Sequence, residues 1–248
     1  MSKKKNYSVA EQRQMFLDGC ENIEHLRKKY GKGFNVMGID PARSITGLAV
    51  RKEGKSARRG MVKPSSWGFS RMIVIEKVIK HQLDKGENCF VGIEGYSYNS
   101  TWGREAAGEL GGIIRRLLFR YKSPLLVISP LTVKAWIGAS KKGNIMLEIL
   151  DRYKIKIEDD NEADAFLLAD ITEKTLMMAH FIVNSSIKDV DDVRVCFRDE
   201  LYKEYSHLEN LFKYQAKGIF NLIFKSETIA LDFFRDTPPE ESIKKKTV

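Results

Sequence analysis

The pattern of apolar and polar positions divides the chain into a helical start, a run of short strands, and then alternating helices and strands. Residues 8–30 read as a helix: Ser8-Val9-Ala10-Glu11 is a capping box, and Gly31 after Lys28-Lys29-Tyr30 supplies the stop. Residues 34–39 and 45–51, rich in branched side chains, predict strands, and after a turn at Gly54 residues 58–63 predict a third. The short connections make these three an antiparallel series. Residues 70–83 return to helical spacing, with Met72, Ile73, Ile75, Ile79 and Leu83 on one stripe.

A continuous apolar strand over 89–93 comes next, then a helix over 102–120. Its small residues, Ala106, Ala107, Gly108, Gly111 and Gly112, allow close approach to a sheet. Residues 125–129 predict another strand, ended by Pro130. Helical pieces follow near 131–136 and 144–152, and a helix over 161–178 closes the region. This alternation predicts an α/β fold: a mixed sheet, three antiparallel strands then parallel ones, flanked by helices. Helical extensions over 1–32 and 181–248 bracket a central domain at 33–180. Residues 197–225 set Leu201, Tyr205, Leu208, Leu211, Phe212 and Ile219 along one side, and the last dozen residues read as a frayed end.

Charge narrows the partners. Lys plus Arg (42) exceeds Asp plus Glu (33), a net charge of +9, which favours a polyanion through counterion release. Cys20, Cys89 and Cys196 lie too far apart for a metal-ligand pattern, and read as reduced, buried thiols. His25, His81, His180 and His207 show no zinc spacing. No run approaches the roughly 20 apolar residues of a membrane helix, and Met1-Ser2-Lys3-Lys4-Lys5 lacks a signal peptide's apolar stretch. A cytoplasmic, intracellular protein is the expectation.

Three carboxylates carry the candidate chemistry. Asp40 ends Val36-Met37-Gly38-Ile39-Asp40, Glu94 ends Phe90-Val91-Gly92-Ile93-Glu94, and Asp164 opens an apolar helix. Strands that run parallel release their side chains at one edge of a sheet, where sites form. Asp160 and Asn161 share the helix face of Asp164, whereas Glu162 points away. Asp160 has a second use as a helix N-cap, and Asp40 as support for the turn at Pro41. Oxygen donors of this kind suit Mg2+, with Mn2+ as substitute. Clustered acids repel one another unless cations neutralise them, and two ions about 4 Å apart would suit phosphodiester hydrolysis.

These residues resemble the RuvC-like Holliday junction resolvases of the RNase H-like superfamily, especially phage-encoded forms. Gly38-Ile39-Asp40-Pro41 with Thr46-Gly47-Leu48-Ala49-Val50 resembles their first strand pair, and Val91-Gly92-Ile93-Glu94 the strand with their second acid. Ser129-Pro130-Leu131-Thr132-Val133-Lys134, then Gly138 and Lys141-Lys142, resembles their basic segment, and Glu162-Ala163-Asp164-Ala165 their last helix. The likeness spans residues 34–175. It implies a Mg2+-dependent endodeoxyribonuclease that acts as a homodimer and nicks a four-way DNA junction symmetrically, in a host cytoplasm if phage-encoded. Asp40, Glu94 and Asp164 would be the metal ligands. Asn161 stands where the family often has an acid or histidine, so Asp160 or Asn161 would complete the set. Lys134, Lys141 and Lys142 would lie near the scissile phosphate or backbone, with Lys142 closest to catalysis. Tyr96 and Tyr98 would stack on unpaired bases, each contact worth roughly 1–3 kcal/mol, and Arg115 would meet DNA.

Two other classes fit parts of the pattern. An actin-like ATPase also opens with a Gly-Ile-Asp strand, but it needs a second related domain. A catalytically inactive module that binds branched DNA needs no complete ligand set. A nuclease for flaps or forks keeps the chemistry and changes only the substrate.

Overall fold

The computed structural model describes residues 8–30, 35–42, 44–52, 58–66, 68–85, 89–95, 104–138 and 142–184. Helix α1 (Val9–Tyr30) opens on a reciprocal cap: the Glu11 amide donates to Ser8 Oγ at 3.2 Å and the Ser8 amide to Glu11 Oε2 at 2.7 Å. Strands β1 (Asn35–Asp40), β2 (Thr46–Lys52) and β3 (Arg58–Val62) follow, then helix α2 (Phe69–Lys85) and strand β4 (Cys89–Glu94). Helix α3 (Arg104–Arg120) leads to β5 (Leu125–Ile128), and α4 (Pro130–Ile137), α5 (Lys142–Tyr153) and α6 (Asp160–Asn184) complete the described chain.

The strands form one sheet in the order β3-β2-β1-β4-β5. The β1–β2 and β2–β3 pairs are antiparallel, and β1–β4 and β4–β5 are parallel. This is the expected mixed sheet, three antiparallel strands joined to parallel ones, with helices on both faces. The parallel strands β1 and β4 are buried on both sides, which is why they read as unbroken apolar runs. The described residues hold one such sheet, where an actin-like architecture would need two related domains. No helix among them is long and apolar enough to cross a membrane. The extension over 181–248, the frayed end and Cys196 fall on or beyond the end of α6, and from residue 185 lie outside the described residues.

Alternation along the strands builds two cores. Met37, Ile39, Val91 and Ile93 face one side with Ile75, Ile79 and Leu83 of α2 and Ile114 and Leu118 of α3. Val36, Ala49, Phe90 and Ile128 face the other side with α6, and Cys20, Ile23 and Leu26 of α1 join them there. Helix α6 shows no amphipathic stripe because it is buried on nearly every side, against β1, β2, β4, α1, α4 and α5. Phe166, Leu167, Leu168 and Ile171 are each fully enclosed, worth roughly 1.5–3 kcal/mol apiece.

Close approach between helix and sheet occurs under α6, and not at Gly108 or Gly112 of α3. A Cβ added at Gly108 or Gly112 would meet nothing within 4 Å. A Cβ at Gly47 would lie 1.9 Å from the Asn161 carbonyl oxygen, at Gly38 2.0 Å from that of Ala165, and at Gly92 2.1 Å from Thr172 Oγ1. These glycines sit on the adjacent strands β2, β1 and β4, so α6 crosses the sheet backbone against backbone. Thr172 Oγ1 donates to its own helix, to the Leu168 carbonyl at 2.7 Å, so no polar group is stranded by the contact.

Gly38→Ala therefore forces α6 off the sheet. A loss of about 1–3 kcal/mol or more is expected in urea unfolding, since overpacking a rigid contact costs that much. Stability within half a kcal/mol of wild type would contradict this packing.

Candidate metal centre

The two strand acids are neighbours by register. The parallel pairing of β1 and β4 runs through Ile39↔Ile93, so Asp40 and Glu94 come next to each other at the same sheet edge. Alternation sets both on the α6 face, in phase with Val36, Gly38, Phe90 and Gly92. Asp164 arrives from the other layer. Asp40 pairs with Gly47, and the Asn161 backbone rests on Gly47, so the first turn of α6 settles beside Asp40. Residues three apart share a helix face, which brings Asn161 and Asp164 to the same opening.

Asp40, Glu94, Asn161 and Asp164 line one cleft of about 220 Å³, together with Lys134, Pro41, Ala42, Pro130, Val133 and Ile145. Asp40 is buried at 5 % exposure, and Glu94, Asn161 and Asp164 are half-buried. Among the described residues no three His, Cys, Asp or Glu side chains are grouped tightly enough to hold a metal ion as they stand. The cleft thus gathers the acids on its walls without closing a cage. Mutual repulsion of carboxylates opposes a tighter cluster when no cation is between them.

The start of α6 is organised by a residue outside the expected set. Asp159 is the N-cap: its Oδ1 accepts the Asn161 amide at 2.8 Å, the Glu162 amide at 3.4 Å and Asn161 Nδ2 at 3.0 Å. The bond from Nδ2 ties down the Asn161 amide and leaves its Oδ1 as the acceptor end. Slight burial works against the Asp159 charge, but the Asn161 and Glu162 hydrogen bonds outweigh it and hold the carboxyl below its ordinary 3.8. Asp160 does not line the cleft. Glu162 turns to β3, where Arg59 Nε meets its Oε1 at 2.7 Å.

Lys134 reaches the cleft because α4 starts cleanly beside it. Ser129 caps that helix, accepting the Thr132 amide on Oγ at 3.1 Å, and Pro130 occupies the first helical position. Arg115 does not line the cleft; it lies on α3, whose Ile114 and Leu118 pack on the opposite face of the sheet. Lys142 opens α5, and its side chain, like Tyr96, Tyr98 and Lys141, lies outside the described residues.

A buried polar network behind the cleft had no counterpart in the sequence reading. Asp170 of α6, 1 % exposed, accepts the Arg51 guanidinium of β2, Trp136 Nε1 of α4 at 3.0 Å and the Tyr153 hydroxyl of α5 at 2.7 Å. Glu173 pairs with Arg51 at 3.0 Å. Burial disfavours the Arg51 charge, yet Asp170 and Glu173 outweigh it and raise the guanidinium above its ordinary range. The signal available in the sequence was a pair of acids, Asp170 and Glu173, three apart on a helix that is otherwise mostly apolar from Ala163 to Ala179.

No protein-family model and no curated protein matches this chain. Among solved structures it is similar to RuvC from Thermus thermophilus, with 23% identity and a TM-score of 0.46, over 60% of this chain and 96% of that one. It is also similar to T. thermophilus RuvC in complex with a Holliday junction substrate, with 19% identity, a TM-score of 0.46, and coverage of 60% and 95%. At this identity and fit the likeness bears on neither activity nor substrate.

Two stability tests follow from these contacts. Asp170→Asn removes a charge that holds Arg51 and is expected to cost roughly 3 kcal/mol in urea unfolding, as for a broken buried pair; a cost under 1 kcal/mol would count against the network. Asp159→Ala is expected to cost about 0.5–2 kcal/mol near neutral pH. Because the folded pKa is depressed, the charge-dependent part is present above the unfolded value near 3.8 and disappears as pH falls through the lower folded value. The gap between wild-type and variant urea midpoints should therefore narrow below about pH 4, and a gap that widens there would refute the assignment.

Proposed function

We propose that the protein is a divalent-cation-dependent endonuclease that acts on branched DNA, with the four-way junction as the leading substrate. The observation that carries this reading is the convergence of Asp40, Glu94, Asp164 and Asn161 on one cleft that also takes Lys134. The donor chemistry fits hard cations: three carboxylates and an amide oxygen suit Mg2+ or Mn2+ and match no soft-metal pattern. Ions bound there would supply an activated water and neutralise the leaving oxygen of a phosphodiester. Asp40, the most enclosed acid, and Glu94 would hold the shared wall of the site, and Asp164 would close it from α6. Asn161 would contribute an uncharged oxygen, and Asp160 stays outside the ligand set unless the helix start shifts. Lys134 would meet a phosphate at the cleft, and Lys142, Lys141, Tyr96, Tyr98 and Arg115 would extend the contact along DNA.

The order of the four motifs supports a RuvC-like resolvase of the phage type, and with it a homodimer that nicks two strands symmetrically. The net charge of +9 supports a polyanionic partner. A second reading, binding of branched DNA without cleavage, draws on the open spacing of the acids and on Asn161 in place of an acid.

One experiment separates them. Labelled four-way junction, fork, flap and linear duplex are incubated with wild type, Asp40→Asn and Asp164→Asn, across a Mg2+ titration. Paired symmetric nicks on the junction, lost in both variants while gel-shift binding persists, are the expected result. Binding without nicking at any Mg2+ or Mn2+ level would favour the inactive module.

A further inference from the structure

Gly60 lies in the middle of β3, the outer strand of the sheet among the described residues. Gly38, Gly47 and Gly92 are each occupied from within by the backbone or side chains of α6. Gly60 differs: a Cβ there would meet no atom within 4 Å, and Gly60 is not among the positive-φ glycines. A glycine inside a strand is unfavourable relative to alanine, and no contact within the described chain accounts for this one.

The empty space belongs to a trough of about 300 Å³ between β3 and α2. Leu48, Val50, Val62 and Val78 form its apolar floor, and Arg58 and Lys85 stand among its lining. Register separates the two arginines of β3. Arg58 pairs with Val50 and shares the α2 face with Gly60, whereas Arg59 pairs with Ala49 on the α6 face and is engaged by Glu162. Arg58 and Lys85, both exposed, form no ion pair among the described residues.

We propose that the trough and the outer edge of β3 form a docking site for an extended acidic segment of a partner protein bearing an apolar anchor side chain. An outer strand offers a row of backbone N–H and C=O groups to an added strand, and alternate side chains of that strand then face one side of the sheet. On the α2 side they meet the apolar floor, opened by the missing side chain at Gly60. Arg58 and Lys85 attract carboxylates, repel a cationic strand and give a neutral one no charge attraction. A nucleic-acid backbone would satisfy the two cations but leave the apolar floor uncovered, so the peptide is the better match. The site is independent of the cleft chemistry.

The test is fluorescence anisotropy with a labelled twelve-residue peptide that alternates aspartate with leucine and phenylalanine, its twin with lysine for aspartate, and a short labelled DNA duplex. The full-length chain should bind the acidic peptide and not the lysine twin. Gly60→Leu sets its Cβ where no atom lies within 4 Å and extends into the trough, so Tm should hold while affinity for the acidic peptide falls about tenfold or more. Arg58→Glu, an independent variant on the rim, should weaken it similarly. Equal binding of the two peptides, or wild-type affinity in Gly60→Leu, overturns the proposal. Duplex affinity that falls in Gly60→Leu, with no acidic-peptide binding in wild type, also overturns it and assigns the trough to nucleic acid.

Discussion

Everything at the cleft depends on the seat of α6 on three glycines. At Gly38 and Gly47 helix backbone meets strand backbone, where no side chain can adjust to take up slack; at Gly92 the Thr172 hydroxyl and the Leu168 carbonyl complete the seat. The same glycines lie in phase with the acids. Gly38 precedes Asp40 by two residues and Gly92 precedes Glu94 by two, so in each strand the glycine and the acid share a face. The glycine admits the helix, and the acid meets what the helix brings. Gly47, opposite Asp40 on the neighbouring strand, receives the Asn161 end of α6 and sets the depth of Asp164.

The Asp170 network carries this placement outward. One buried carboxylate takes donors from β2, α4 and α5, and those two helices cover the far side of α6. Lys134 lies two residues before Trp136, so the indole bond to Asp170 ties the lysine's helix to the acid's helix. An isolated carboxylate in such a place would cost several kcal/mol, but Arg51 and two neutral donors compensate it. Arg51 adds apolar contact as well, its Cζ 5.8 Å from the centre of the Phe166 ring, which Tyr153 meets edge-on at 5.1 Å. Two buried acids, Asp170 and Glu173, share the one Arg51 guanidinium, which bonds each through a different nitrogen.

Elements defined by local signals were legible in the sequence. The Ser8–Glu11 cap is a contact between residues three apart, and the strands of the sheet core are short runs bounded by turns. Helix α6 was legible in kind but not in length: it runs to Asn184, with Ala179 buried past the expected end and His180 bonded to Glu24 of α1. Its cap was misplaced by one residue, since Asp159 and Asp160 are chemically alike and only backbone geometry chooses between them. The convergence of Asp40, Glu94 and Asp164 followed from strand order and helix phase. The spacing of their carboxylates did not, because it depends on rotamers and on charge repulsion. Gly108 and Gly112 of α3 face open space, while glycines of the strands take the close contact: close approach is a property of two surfaces, and a single segment reveals only one. Asp170 was invisible as a network centre because its three donors lie 17 to 119 residues away in the chain.

The charge distribution separates long-range attraction from local fit. The chain as a whole is positive by nine charges, which draws a polyanion toward it at any distance within the screening length. At the cleft the balance reverses, with three carboxylates against Lys134 among the described lining residues. Two like charges about 4 Å apart at an effective dielectric near 20 oppose each other by roughly 4 kcal/mol. A phosphate therefore reaches these acids only when cations stand between them, which makes cation binding and phosphate docking one coupled equilibrium under the proposed function. Asn161 enters that balance directly. Under that proposal a neutral oxygen there would weaken the hold on a cation relative to a fourth carboxylate, and would at the same time remove one unit of repulsion against the incoming phosphate.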